Sequence, residues 1–318
     1  GFDSVMPYTS RFSIEEVREF LKAAESAGIG VHLDIPRFRA SDRTGVPLEE
    51  YVRATMDSPT LLSWYLFDEP EWKLHASPRS LENSYAILKS LDPDRDVSMV
   101  FILPALAGPY RAAMDRMWID YYPLARGCRE FDAFRGGRYA DRMKAFGRRA
   151  DRYGLPLTIV PQGYGEKRGE YQFGRRLPTK TEAEYMFWAS FLARPEEIVY
   201  WTLYRTTEPR FRDILSPLVR EFREKFPESV EYRSAAAFRI SGAAVDAIRM
   251  GDGRGKEWLL ALSRESDERT LEIEAPEGIS ILDGVQGPVQ RTRRPISPYG
   301  VELIQLEAQR LSYPIPQP

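Results

Sequence analysis

The chain has 318 residues, 43% of them hydrophobic and 29% charged, with a formal net charge of −2. That length holds one large α/β domain plus a smaller one, and the apolar content excludes wholesale disorder. The balanced charge gives no reason to expect nucleic acid or a membrane as partner, and a single cysteine, Cys128, excludes an internal disulfide or a cysteine-based zinc site.

In chain order, "FDSVMPY" (2–8) reads as a buried strand. "SIEEVREFLKAAESAG" (13–28) reads as an amphipathic helix with a Ser13–Glu16 capping box and Gly28 past its end. "IGVHLDIP" (29–36) is a strand, and a helix covers about 47–57. "LLSWYLFDEP" (61–70) is the next strand, a helix spans about 78–91, and "VSMVFILP" (97–104) is a strand. A short helix is expected at about 107–115 and a strand at "RMWIDYYP" (116–123). A basic helix runs through about 136–153, with charges spaced as on a solvated outer face. "LPLTIVPQGYG" (155–165) is a strand, 178–193 a helix with a Thr179–Glu182 capping box, "EIVYWTLYR" (197–205) a strand, and about 210–226 a helix.

Apolar strands alternating with helices mean a parallel sheet covered by helices. Seven strands are counted where a closed (β/α)8 TIM barrel has eight. Five of them end in polar or aromatic residues: Tyr8; Asp34; Asp68 and Glu69; Asp120, Tyr121 and Tyr122; and Gln162 with Tyr164. In a barrel such tips converge on one mouth, and no Gly-rich phosphate loop argues for an open nucleotide-binding sheet. The expected fold is therefore a (β/α)8 barrel over 1–228 that lacks its first β/α unit in this chain. From about 230 the pattern turns to short alternating strands, at 244–250, 257–263, 269–276, 279–284 and 300–308. These predict a small antiparallel β-sandwich over 229–318.

"FDEP" concentrates the chemistry. An acid at a barrel mouth with aromatic walls is partly desolvated, which raises its pKa and makes it a usable proton donor. The same Asp-Glu-Pro is equally ordinary turn chemistry after a strand. "WYLFDEPE" resembles the acid/base segment of the retaining glycoside hydrolases with (β/α)8 barrels, where Asn-Glu-Pro or Asp-Glu-Pro ends the fourth strand. "MWIDYYP" is similar to a strand end beside the substrate in relatives of that clan. "LPTKTEAEYMFWASFLARPEEIVYWTLY" resembles its seventh helix and eighth strand, and the terminal sandwich its appended β-domain.

The resemblance implies Glu69 as general acid/base, Asp68 as a ligand to a sugar hydroxyl, and Asp120, Tyr122 and Trp201 as subsite walls. Trp72, past the strand tip, is placed to stack on a sugar ring, and Tyr8, Asp34, Gln162, Tyr164 and Tyr204 complete the candidate binding set. Trp64 reads as core. The implied partner is a carbohydrate, with no cofactor and no metal, and the implied location is secreted or periplasmic. Oligomeric state is left open.

One departure matters. The clan carries a nucleophilic Glu on strand seven, where this chain has Gln162. Another acid, Asp120, Asp34 or Glu166, can supply the second carboxylate. An acid ~6.5–9.5 Å from Glu69 would make the enzyme inverting, and one at ~5–5.5 Å retaining. Alternatively the protein binds sugars without chemistry, or the register is shifted and Glu166 is itself the nucleophile. A different barrel enzyme, such as a lyase or isomerase, is disfavoured because no His or Lys stands at a strand tip, although His32 lies two residues before Asp34.

Overall fold

A computed structural model of the chain describes residues 2–10, 12–35, 46–73, 76–125, 127–165, 174–201, 209–283 and 287–308. The chain divides into two compact units. The first comprises Gly1–Tyr122, Ala145–Gln162 and Pro195–Trp201, and the second Pro123–Lys144, Gly163–Arg194 and Thr202–Pro318.

The first unit is built on seven strands in sequential order: β1 (Ser4–Val5), β2 (Gly30–Asp34), β3 (Leu61–Asp68), β4 (Asp96–Phe101), β5 (Arg116–Tyr121), β6 (Leu157–Pro161) and β7 (Glu197–Ile198). Every neighbouring pair is parallel. Helices α1 (Ile14–Ala27), α2 (Leu48–Thr55) and α4 (Pro78–Leu91) lie between successive strands, and a four-residue turn of helix, α3 (Pro70–Lys73), follows β3 directly. The predicted caps form. Ser13 and Glu16 bond each other's backbone at the start of α1, and Gly28 ends it with φ 65°. Ser77 caps α4 through the Ser80 N–H. The helix expected at 107–115 is instead two 3₁₀ turns, Pro104–Leu106 and Gly108–Ala113. Pro104 and Pro109 each remove a backbone donor, and the segment between them is too short for an α-helical ladder.

Both faces of the sheet are apolar, which is why its strands read as continuous hydrophobic runs. Period-2 alternation places Tyr65, Val100, Trp118 and Val160 on one face, where Met6, Tyr8, Tyr122, Val199 and Trp201 pack against them. The sheet curls toward that face, because side chains of its two edge strands meet there. Ser4 on β1 donates to Glu197 on β7 at 3.0 Å, and the rings of Tyr8 and Trp201 meet edge-on at 5.0 Å.

Glu197 is also the hub of a buried polar network. His32 on β2 bonds Glu197 through Nε2 and Ser63 on β3 through Nδ1, both at 2.8 Å, and Thr158 on β6 lies 3.5 Å from the same carboxylate. Five strands thus share one network inside the curl. Burial pushes the Glu197 carboxyl up, but the bonds from His32 and Ser4 and the charge of Arg116 outweigh it and leave the group below its ordinary value. Trp64 lies on the opposite face, fully buried, with its indole N–H on Asp92 at 2.9 Å.

The second unit holds helix α6 (Lys180–Ser190), helix α7 (Pro209–Lys225) and two antiparallel sheets. Helix α5 (Arg138–Tyr153) starts in this unit and ends in the first. The six-stranded sheet contains β8 (Glu231–Arg233), β10 (Val245–Gly251), β11 (Glu257–Ser263), β13 (Ile279–Asp283), β14 (Gly287–Val289) and β16 (Val301–Ala308). The three-stranded sheet contains β9 (Arg239–Ser241), β12 (Arg269–Glu274) and β15 (Arg291–Ile296). Leu259, Ala261, Leu271, Ile273, Ile281, Ile296, Ile304 and Leu306 form their shared core.

The other face of β11 is buried too, with Trp258 4.7 Å from the Phe226 ring, so "EWLLALS" does not alternate. The basic helix is not simply solvated on its outside. Its Lys144 turns to the buried Asp246, which Arg264 also bonds at 2.6 Å while reaching Asp141 at 2.7 Å. Thr179 and Glu182 form the expected capping box of α6, and Glu182 additionally takes Arg176 and the Phe131 N–H. Arg176 is therefore committed inside its own unit.

Candidate active site

The alternation that buries Trp118 and Val160 on the curled face carries on to the strand ends. It places Asp120 and Tyr122 after Trp118, Gln162 after Val160, Trp201 after Val199, Tyr8 after Met6 and Asp34 after His32. Tyr8, Tyr122 and Trp201, at three of these strand ends, pack against Tyr65, Val100, Trp118 and Val160 on that face.

Glu69 stands just beyond β3, with φ 55°. A left-handed backbone costs a residue with a Cβ about 1–2 kcal/mol, so the surroundings must impose it. They do so through several bonds. The Glu69 N–H donates to the Val100 carbonyl at 3.0 Å and its own carbonyl accepts from the Trp72 N–H at 3.1 Å. Next to it, Tyr110 donates to the Pro70 carbonyl at 3.2 Å, and Glu71 accepts the Leu103 N–H at 2.8 Å. The sequence suggested that Pro70 fixes the turn. Neighbouring segments fix it as well, and no local motif announces the positive φ.

Three acids meet here. Asp68 accepts the Tyr65 hydroxyl at 3.0 Å. Asp120 is 3% exposed, and Glu69, Asp68 and Tyr122 stand near enough to shift its carboxyl. Burial pushes the Asp120 carboxyl well above the usual range, the nearby Glu69 and Asp68 push it further, and only Tyr122 opposes them. Burial also raises the Tyr65 phenol, with Asp68, Tyr8 and Asp120 adding to it. Two atoms of this face, Asp120 Oδ1 and Trp118 Nε1, have no hydrogen-bond partner among the described residues.

The remaining candidates are placed as follows. Asp34 is buried and accepts both the Thr9 N–H, at 2.7 Å, and the Thr9 hydroxyl, so its Oδ1 tethers the chain that follows β1. Gln162 is fully buried and forms an isolated parallel bridge with Trp201. Trp72 is 65% exposed. Tyr164 is buried and belongs to the second unit. Glu166 and Tyr204 lie outside the described residues. Sequence reading missed the Glu69–Asp120 contact, the Tyr65–Asp68 bond and the His32–Glu197 network. The period-2 register of β5 was the signal that could have placed Asp120 inward. Among the described residues, no group of His, Cys, Asp and Glu is arranged to hold a metal ion, and no helix is long and apolar enough to cross a membrane.

No family model and no curated protein sequence matches the chain. Solved structures do. An Anoxybacillus α-amylase is similar with TM-score 0.55 and 11% identity, over 93% of this chain and 80% of that one. A family 27 β-L-arabinopyranosidase from Geobacillus stearothermophilus, solved with arabinose, gives TM-score 0.54 and 10% identity over 97% and 82%. A β-galactosidase from Marinomonas ef1 gives 0.53 and 12% over 70% of this chain, which spans 55% of that enzyme's length. At these identities the likeness is one of fold: a glycosidase-like sheet of the (β/α)8 type, curled and parallel, with a β-rich C-terminal part.

Proposed function

We propose that the protein hydrolyses a glycosidic bond, with Glu69 as the general acid that protonates the departing oxygen. One observation carries this reading: Glu69 is held in a strained backbone at a strand end, beside the buried acid Asp120, at the end of the sheet whose inner face carries the Tyr65, Tyr122 and Trp201 cluster. Strain kept in place by surrounding bonds is characteristic of positions where side-chain direction matters more than stability. Burial and the charges of Glu69 and Asp68 push the Asp120 carboxyl well above its ordinary range, and Tyr8, Tyr122 and Trp201 offer faces suited to the apolar side of a sugar ring. Trp72 supplies a platform at the rim. The test is Glu69→Gln, assayed on whichever glycan or aryl glycoside the native protein turns over. Loss of general acid catalysis costs about 10²–10⁴-fold, with binding retained by calorimetry. Unchanged turnover in that variant removes Glu69 from the mechanism.

A second reading, non-catalytic carbohydrate binding on the same fold, is favoured by one feature, the buried amide of Gln162 at the end of β6. Calorimetric binding of a glycan with no product on long incubation supports it over hydrolysis.

A further inference from the structure

The oxygen that a general acid protonates departs with the aglycone. The chain that follows the acid, and whatever is bonded to that chain, is what an aglycone has within reach. After Glu69 that chain is α3, and the segment bonded to α3 is the one that leaves β4. Because β3 and β4 are parallel, both segments emerge at the same end of the sheet. They form one rim. The Leu103 N–H donates to Glu71 at 2.8 Å, the Tyr110 hydroxyl to the Pro70 carbonyl at 3.2 Å, and the Leu106 N–H to the Leu103 carbonyl at 2.8 Å.

What the rim displays is apolar. Trp72 is 65% exposed, Leu106 52% and Leu103 44%, and these are three of the five large hydrophobic side chains exposed among the described residues. The run "ILPALAGP" (102–109) contains no polar side chain, and its Ala105 and Pro109 are exposed as well. Glu71 turns its carboxyl inward, with Oε1 on the Leu103 N–H and Oε2 buried. Single exposed leucines are ordinary, whereas three large apolar side chains on one bonded rim mark a binding surface.

Chemistry selects the occupant. The hydroxyls of a second sugar would exchange water for leucine methyls that cannot hydrogen-bond, at a cost in free energy. A hydrocarbon gains on the same surface. Trp72 suits either, so Leu103 and Leu106 decide. Resting on the hydrolase reading, we propose that the substrate is an amphipathic glycoside with an apolar aglycone. Its sugar lies at the strand ends, among the polar tips of Asp68, Asp120 and Tyr122, and its alkyl chain or aryl ring lies on Trp72, Leu103 and Leu106.

The experiment measures kcat/KM of the full chain on methyl, butyl, hexyl and octyl glycosides of glucose, galactose and xylose, both anomers, below micelle formation. Disaccharides with the same non-reducing sugars are run beside them. Butanol to octanol are equally acidic leaving groups, so the slope with chain length reports contact with the rim. A fully buried methylene is worth about fourfold. A rim that covers one side of the chain should give about twofold, and octyl should exceed butyl by at least about tenfold. A second series, 4-methylphenyl to 4-butylphenyl, tells a ring from a chain: a rise in either series supports the proposal and names the aglycone. Leu103→Ser/Leu106→Ser should flatten the slope, a change that general loss of stability does not produce. Flat series with disaccharides turned over at least as well, or a slope that survives the double variant, would overturn the proposal while leaving hydrolysis by Glu69 intact. A native dimer in sedimentation that the double variant converts to monomer would give the leucines to self-association and overturn it as well. Turnover of no glycoside at all overturns both.

Discussion

Replacing Glu197 by alanine removes the acceptor at the centre of the His32 network. Two bonds to the carboxylate are short, 2.8 Å from His32 and 3.0 Å from Ser4, and the Thr158 contact at 3.5 Å adds little. A hydrogen bond to a charged group contributes about 1.5–3 kcal/mol net, so two give about 3–6 kcal/mol. The Glu197 side chain is 22% exposed, and water can enter the space it leaves. The expected loss is therefore nearer the lower end, about 3 kcal/mol. Glu197→Gln keeps an acceptor for His32 and should lose about half as much.

The pH dependence gives an independent check. The folded-state pKa of Glu197 is lowered, so its contribution is complete above the unfolded value of 4.5 and is lost as pH falls through the folded value. The stability gap between native protein and Glu197→Gln should thus be widest near pH 7 and close below pH 4.5. Urea titration followed by tryptophan fluorescence reads this directly, since Trp118 meets the His32 ring edge-on at 5.0 Å. A double-mutant cycle with His32→Ala should give a coupling above about 1 kcal/mol. Additive single variants, or a gap that ignores pH, would show that the network holds nothing together.

Asp120→Asn should raise the urea midpoint, and increasingly so at higher pH. The folded-state pKa of Asp120 lies above its ordinary value of 3.8, so the native fold binds the extra proton and loses stability as pH rises through that window, a penalty an amide escapes. A lower midpoint at pH 7 contradicts it. At position 69, glycine should give a fold about 1 kcal/mol more stable than alanine, because only alanine bears the cost of the left-handed backbone; thermal unfolding of the two variants decides. Trp72→Ala should change stability by less than about 0.5 kcal/mol, as expected for an exposed side chain, yet raise KM for any oligosaccharide that the protein turns over. An unchanged KM removes Trp72 from the binding surface.

The fold was largely legible because its signals are local. All seven parallel strands announced themselves as apolar runs, and both capping boxes, Ser13–Glu16 and Thr179–Glu182, stood in the sequence as they stand in the structure. Trp64, expected in the core, is there. What escaped was weak or distant. β8, β9 and β14 have three residues each, and β15 reads "RTRRPI", too polar and proline-broken to signal a strand. His32 and Glu197 are 165 positions apart, and only the curl of the sheet joins them. In the site, the acids were legible as residue types at strand ends. Their pairing was not, because the Glu69–Asp120 contact depends on the register of β3 against β4 and β5, which includes a shift between Tyr65 and Phe67.

Position 69 sets two demands against each other. Glycine would rest easily in that peptide geometry, whereas the proton donor of the proposed hydrolysis needs a side chain. A library of this protein screened only for heat resistance should therefore drift toward glycine or asparagine at that codon, and on the proposed mechanism its best survivors would have lost their general acid. Any attempt to harden the scaffold has to hold the glutamate fixed and look for stability elsewhere.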